Sequence, residues 1–288
     1  MDKTIFLDGA VGSELILKGE NLPPHIWSAD INLTNPNLLL NIHREYIQAG
    51  SDYITTNTFR STPRAYKKTG LSGFESKRMA KESMEAAVCI AKEAAGETTK
   101  VLGSIAPLED CYCPELFPGI LPARKEFDVI AAWFENLNID GYILETMNSI
   151  TETEICLDSI EGTSRPIWVS FNLLDSCRIQ SGEKLVDAIS MAKNYNVECI
   201  LLNCNSLDRT REALKIISEK CSKWGIYPNL GIGEPSPDGV IKEYSPDQEF
   251  ISLCKVALNL GASVVGGCCG TSPRHIKLLV DKLLLTSS

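Results

Sequence analysis

The sequence predicts an α/β fold, a single (β/α)8 barrel of eight parallel strands, each followed by a helix. Three observations carry this. Short apolar, β-branched runs alternate with helix-period stretches from end to end. The alternation yields eight units in 288 residues. No GxGxxG turn follows the first strand, where a doubly wound nucleotide-binding sheet would prefer one.

Taken in order, the first strand, 4–8, closes on Asp8, and its helix is 36–49. The second, 53–57, closes on Thr56 and Asn57 before a helix over 74–95. The third, 101–105, carries Ser104, and its helix is 125–137. The fourth, 141–145, ends on Glu145 and leads to 150–160. The fifth, 167–171, carries Ser170, with its helix at 183–195. The sixth, 199–203, runs from Cys199 through Ile200, Leu201 and Leu202 to Asn203, with Cys204 just past its end, and is followed by 209–223. The seventh, 225–229, ends on Asn229 and precedes 246–260. The eighth, 263–267, runs into glycines, with 273–285 last. Ser245-Pro246 and Ser272-Pro273 mark helix starts by a capping residue and an early proline.

No Pro/Gly/Ser-rich linker interrupts the series, so one domain is expected over 1–288. Two loops stand out, 106–124 after the third strand and 231–244 after the seventh. Either suits a lid or donor pocket on the catalytic face, or a plain surface excursion. A net charge of −9 argues against nucleic acid or an anionic membrane surface as partner, leaving small molecules. Apolar runs fall short of the ~18 residues needed to span a membrane. Eleven cysteines without framework spacing, and no signal peptide at Met1-Asp2-Lys3, lead to the expectation of a cytoplasmic protein with free thiols.

In this fold the active site is built at the C-terminal strand ends. Those ends carry Asp8 and Gly9, Thr56 to Thr58, Ser104, Glu145 and Thr146, Ser170 and Asn172, Cys204, Asn229, and Cys268 with Cys269. Successive strand residues face opposite sides, so Cys268 and Cys269 meet one ligand only if the backbone turns, which flanking Gly266, Gly267 and Gly270 permit. Alone, the pair also reads as core filling or a vicinal disulfide. With Cys204 it makes a soft three-thiolate site that suits zinc, leaving a fourth position for water or substrate. Cys89, Cys156, Cys199, Cys221 and Cys254 read as small core hydrophobes. Glu145 is the best acceptor for an ammonium group, or else a structural carboxylate at a helix start; Asp8 reads as a site carboxylate or a turn residue. His25, His43 and His275 fall in a loop, mid-helix and at a helix start, so a Ser/His/Asp triad has no base at the strand ends.

At these residues the chain resembles the zinc-dependent homocysteine S-methyltransferases. The motifs are Asp8-Gly9-Ala10-Val11-Gly12-Ser13, Thr56 to Phe59, Leu144-Glu145-Thr146, Asn203-Cys204-Asn205, Tyr227-Pro228-Asn229 and Gly266 to Thr271. The resemblance implies that Cys204, Cys268 and Cys269 bind Zn2+, that Glu145 takes the homocysteine ammonium, and that Gly9 and Thr56 lie by its carboxylate. Asn229 matches an asparagine that fills the fourth zinc position in methionine synthase-type members, whereas Thr146 stands where the betaine enzyme has a tyrosine ligand. The expected reaction is methyl transfer from a small sulfonium donor, S-methylmethionine favoured, to the homocysteine thiol. That preference rests on Trp27-Ser28-Ala29, similar to stand-alone members, and on the chain ending soon after the eighth strand. Glu109, Asp110 and Tyr112 are expected to meet the cationic donor. The alternatives are a methylcorrinoid partner protein serving the same site, an idle structural or redox zinc barrel, which would want a fourth firm ligand, and a zinc hydrolase, which usually uses His or carboxylate ligands.

Overall fold

A computed structural model describes residues 3–233 and 240–284. Its eight strands are β1 (Ile5–Phe6), β2 (Tyr53–Thr55), β3 (Lys100–Ile105), β4 (Gly141–Met147), β5 (Ile167–Phe171), β6 (Val197–Asn203), β7 (Trp224–Tyr227) and β8 (Val264–Val265). All pairings are parallel, in the order β1-β8-β7-β6-β5-β4-β3-β2. A parallel bridge from Leu7 to Tyr53 brings β1 back against β2, so the sheet nearly closes. Asp8 ties this seam twice. Its N–H donates to the Tyr53 carbonyl (3.0 Å), and its carboxylate accepts the Thr55 N–H (2.9 Å).

A helix follows each strand: α1 (Pro36–Ala49), α2 (Gly73–Ala95), α3 (Ile120–Glu135), α4 (Ile150–Ser159), α5 (Leu185–Ala192), α6 (Leu207–Lys220), α7 (Asp247–Asn259) and α8 (Pro273–Leu284). Side chains of Asn35, Ser149 and Ser206 accept N–H groups of the first turns they precede, and Ser72 with Glu75 forms a reciprocal capping box. Helix α3 starts at Ile120, earlier than expected. Pro122 falls in its first turn, where no N–H is required, so the proline does not bar the helix. The strands β1, β2, β7 and β8 are shorter than expected because their last residues turn over the barrel mouth. There the backbone bonds to neighbouring loops, Asn229 N–H to Asn205 O (2.9 Å) and Cys268 N–H to Pro228 O (2.9 Å). Short helices at Val11–Leu17, Ile31–Thr34 and Pro63–Lys67 add to the expected set; each is too brief to leave a clear periodic signal.

The barrel interior is filled by Leu7, Leu102, Ile143, Trp168, Cys199, Leu201, Tyr227 and Val264. Open space lies above this plug, at the mouth. Truncating Trp168, which is fully buried, to alanine would cost about 3–5 kcal/mol of stability. A larger cluster joins the outer strand faces to the helices. Of the cysteines read as core, Cys156, Cys199, Cys221 and Cys254 are buried, but Cys89 is exposed on the outward face of α2. No described helix is long and apolar enough to cross a membrane.

His43 in α1 is fully buried, and neither ring nitrogen has a hydrogen-bond partner among the described residues. Burial lowers its pKa to about 4. The unfolded imidazole takes up a proton below its usual ~6.5, so between those values the unfolded chain binds more protons than the folded one. Stability is therefore lost as pH falls through this window, by on the order of 3 kcal/mol at pH ~4. Urea unfolding of His43→Leu near pH 7 and near pH 4.5 is expected to show a correspondingly smaller acid loss than the parent. Identical losses in both proteins would contradict this account.

Candidate active site at the barrel mouth

Cys204 follows β6, and Cys268 and Cys269 follow β8; their three sulfurs lie within 4.8 Å of one another, with Cys204 and Cys269 3.5 Å apart. Local backbone accounts for the convergence. Cys204 adopts φ 54°, a left-handed conformation costing of order 1 kcal/mol or more for a non-glycine residue, while its N–H is held by the Tyr227 carbonyl (3.2 Å). Cys268 and Cys269 sit in a turn closed by the Thr271 N–H to Cys268 O bond (2.9 Å), with Gly270 at φ 81° supplying the left-handed step. Gly267 serves close approach rather than turning: a Cβ there would lie 2.3 Å from Thr271 Oγ1. Hydrogen bonds from Cys204 and Cys268 hold the Cys269 thiol well below its ordinary pKa. Three sulfurs so placed can hold one soft metal ion.

A cavity of about 600 Å3 opens above them. Asp8, Gly9, Thr56, Glu145, Cys204, Asn229, Cys268 and Cys269 all line it. Their side chains are not equally free. Ser104 donates to Glu145 Oε1, the Thr56 hydroxyl accepts the Ser104 N–H (2.9 Å), and Asn229 Oδ1 accepts the Gly231 N–H (2.6 Å). Burial pushes Glu145 up to about 7, with the Cys204 charge adding to the effect. Asp8 is raised well above the carboxylate range by burial and by Glu145 nearby. Two buried carboxyls beside three thiols make a mouth that favours a cationic guest.

The loop over 106–124 reaches into this mouth. Tyr112 Oη lies 3.2 Å from Cys204 Sγ and 3.4 Å from its carbonyl oxygen, a contact the sequence reading missed. Burial and the thiols raise the phenol pKa strongly, so Tyr112 is a neutral donor. The loop is anchored by Arg60 to the carbonyls of Pro107 (2.8 Å) and Glu109 (2.9 Å), and by Gln180 Nε2 to Tyr112 O (3.3 Å). Asp110 lines the cavity as expected. Glu109 does not: its carboxylate pairs with Arg64 (3.3 Å) and Lys68. Those two cations draw it to the outer side of the loop. In the 231–244 loop, residues 234–239 lie outside the described residues, whereas Gly231, Ile232 and Lys242 line the cavity. His275 does align with Ser272 (2.8 Å) and Asp247 (3.1 Å). The arrangement caps α8, since the Ser272 N–H donates to His275 Nδ1 (3.0 Å), and none of the three residues lines the cavity.

The fold and the mouth define a class, a (β/α)8 barrel enzyme that presents a three-thiol cluster and buried carboxyls on its catalytic face. The chain belongs to the homocysteine S-methyltransferase family, whose profile matches residues 5–283. A homocysteine S-methyltransferase of Escherichia coli (strain K12) is 28% identical, covering 96% of this chain and 94% of that protein. A selenocysteine methyltransferase of Astragalus bisulcatus is 25% identical, covering 93% and 89%. The structure of the homocysteine methyltransferase MmuM from Escherichia coli, metallated form, matches with a TM-score of 0.81 at 24% identity over 98% of this chain and 96% of that one, a likeness of fold.

Proposed function

We propose that this enzyme transfers a methyl group from a small sulfonium donor, S-methylmethionine favoured, to the thiol of homocysteine, with Zn2+ held by Cys204, Cys268 and Cys269. The observation that carries the reading is the trio of sulfurs within 4.8 Å at the floor of a cavity that Glu145 also lines. Thiolates ~2.3 Å from one tetrahedral zinc stand roughly 3.8 Å apart, so the observed cluster fits the ion. When bound, zinc supplies Lewis acidity that keeps a substrate thiol ionised near pH ~7, where a free thiol of pKa ~8.5 is only a few per cent ionised.

The chain's own residues then select and align. Glu145 neutralises the homocysteine ammonium, Asp8 stands by as the second carboxyl, and the backbone at Gly9 and Thr56 borders the carboxylate. Tyr112 donates to the Cys204 sulfur, which holds the loop over the thiols. Asp110 and the Tyr112 ring face a positive donor from above by charge and by the aromatic face. The homocysteine sulfur, its proton already lost to solvent, forms a bond to the methyl carbon as the donor's sulfur–methyl bond breaks in line. That electron pair stays on the donor sulfur, so one sulfonium and one thiolate give two neutral thioethers. The protein supplies alignment and needs no general base at the methyl group.

The test is methyl transfer by zinc-loaded enzyme to homocysteine, with selenocysteine as competing acceptor, from S-methylmethionine, betaine and a methylcorrinoid protein. S-methylmethionine is expected to give turnover at least ~10-fold above betaine, because it carries an amino-acid ammonium that betaine lacks and one charged contact supplies about that ratio. Turnover with the methylcorrinoid protein alone would replace the small-donor reading with a partner-protein one.

A further inference from the structure

β4 and β5 lose their register at the barrel mouth. Where β5 runs from Val169 to Phe171, β4 runs from Leu144 to Met147 and so carries one extra residue. Such a bulge re-aims side chains beside active sites, and this one holds Glu145 and Thr146. Glu145 continues the inward set of Ile143 and lines the cavity. Thr146 is left at φ 54°, and its buried N–H is paired outside the strand ladder, by Asn203 from two strands away. Asn203 ends β6 at the same parity as the inward Cys199 and Leu201, and it is fully buried. Its Oδ1 accepts the Thr146 N–H (2.9 Å) and, from the intervening β5, the Ser170 hydroxyl (2.6 Å). A backbone N–H can only donate, so the carboxamide oxygen must face it, while Asn203 Nδ2 has no partner among the described residues. One oxygen therefore joins the ends of β4, β5 and β6. Glu145 directly precedes the residue on one side of this joint, and Cys204, also at φ 54°, directly follows the residue on the other. Left-handed backbone at two non-glycine residues persists only where the surroundings hold it.

We propose that Asn203 is a positioning residue that sets the span from Glu145 to the Cys204 sulfur, and so selects a thiol whose amine lies at the homocysteine distance. This rests on the homocysteine reading above. Asn203 does not line the cavity, so it acts through the turns on either side of its amide oxygen. Ser104 holds the Glu145 carboxylate from the β3 side, and Asn203 supplies the hold on the side of the thiols. Homocysteine differs from cysteine by one methylene between ammonium and sulfur. In a fitted site a missing methylene is worth roughly 10–200-fold, a ratio that requires the span to be fixed.

The experiment measures, by calorimetry on zinc-loaded protein, the binding of homocysteine, cysteine and 4-mercaptobutanoate, which lacks the amine. Wild type is compared with Asn203→Ala and Asn203→Asp. The alanine variant is expected to bind homocysteine about 10-fold more weakly, the loss of one aligned charge-assisted contact, and 4-mercaptobutanoate equally well. Its preference for homocysteine over cysteine should fall by a similar factor. Asn203→Asp keeps an accepting oxygen in place and gives up only the partnerless amide nitrogen, so most of the affinity and preference should return. Zinc content is expected to be equal in all three proteins, because the Cys204 N–H is held by the Tyr227 carbonyl and not by Asn203. If the alanine variant does not fold, Asn203→Ser, whose hydroxyl falls short of Thr146, takes its place with the same expectations. Equal weakening of all three thiols, an unchanged homocysteine-to-cysteine ratio, or an aspartate variant no better than alanine would each overturn the proposal. Failure of the homocysteine reading shows in the wild type alone, which would then bind homocysteine no better than 4-mercaptobutanoate.

Discussion

Replacing Cys204, Cys268 or Cys269 with serine is expected to abolish tight metal binding and to lower methyl transfer by on the order of a thousandfold or more. Even losing a group that merely supports a metal ligand costs roughly 10–100-fold in affinity, and losing one of three thiolates costs more. Without the metal, only a few per cent of a substrate thiol of pKa ~8.5 is ionised near neutrality, and its sulfur is no longer held in line with the methyl group. The barrel itself is expected to stay folded, because serine is close to cysteine in size and, of the three, Cys268 merely packs against the edge of the plug. Cys89→Ser is the control, since Cys89 is exposed on α2 and does not line the cavity. Metal content, circular dichroism and turnover of the four variants decide the matter. A triad variant that keeps both zinc and activity would refute the assignment of that cysteine.

Glu145→Gln is expected to weaken homocysteine binding by roughly 10–100-fold while zinc content stays unchanged, since a charge-assisted hydrogen bond is worth ~1.5–3 kcal/mol. The pH profile adds a sign. With the Glu145 pKa raised to about 7, the carboxylate loses its charge as pH falls through that value. The kcat/KM for homocysteine in the parent enzyme should therefore decline on the acid side of neutrality. The glutamine variant, already neutral, should show a shallower acid limb. Asp8 lies close enough to make this a shared titration, so the limb belongs to the pair. Unchanged affinity and an unchanged limb in the variant would return Glu145 to a structural role, consistent with its bond from Ser104.

Much of the site was legible because the barrel places chemistry at strand ends, and strand ends can be read from apolar runs. Cys204 after Leu202, Glu145 after Leu144 and the cysteine pair after Val265 follow from that rule alone. What escaped depends on long-range geometry. Tyr112 meets Cys204 across 92 positions of sequence, and only the anchoring of its loop by Arg60 and Gln180 brings it there. Glu109 looked like a donor contact until Arg64 and Lys68, which lie far from it in sequence, drew it outward. The second task of Asp8, holding the β1–β2 seam, needs the closure of the sheet to exist before it can be seen. The glycines before Cys268 were correctly singled out, but for turning; their service is tight packing against Thr271 and Leu7, and Gly270 makes the turn.

The most direct test of the central claim is zinc K-edge X-ray absorption on the loaded enzyme, recorded without and with saturating homocysteine. Three sulfur neighbours and one lighter atom are predicted in the absence of substrate, and four sulfur neighbours in its presence. Fewer than three sulfurs in the free enzyme, or a sulfur count that homocysteine leaves unchanged, would contradict the account.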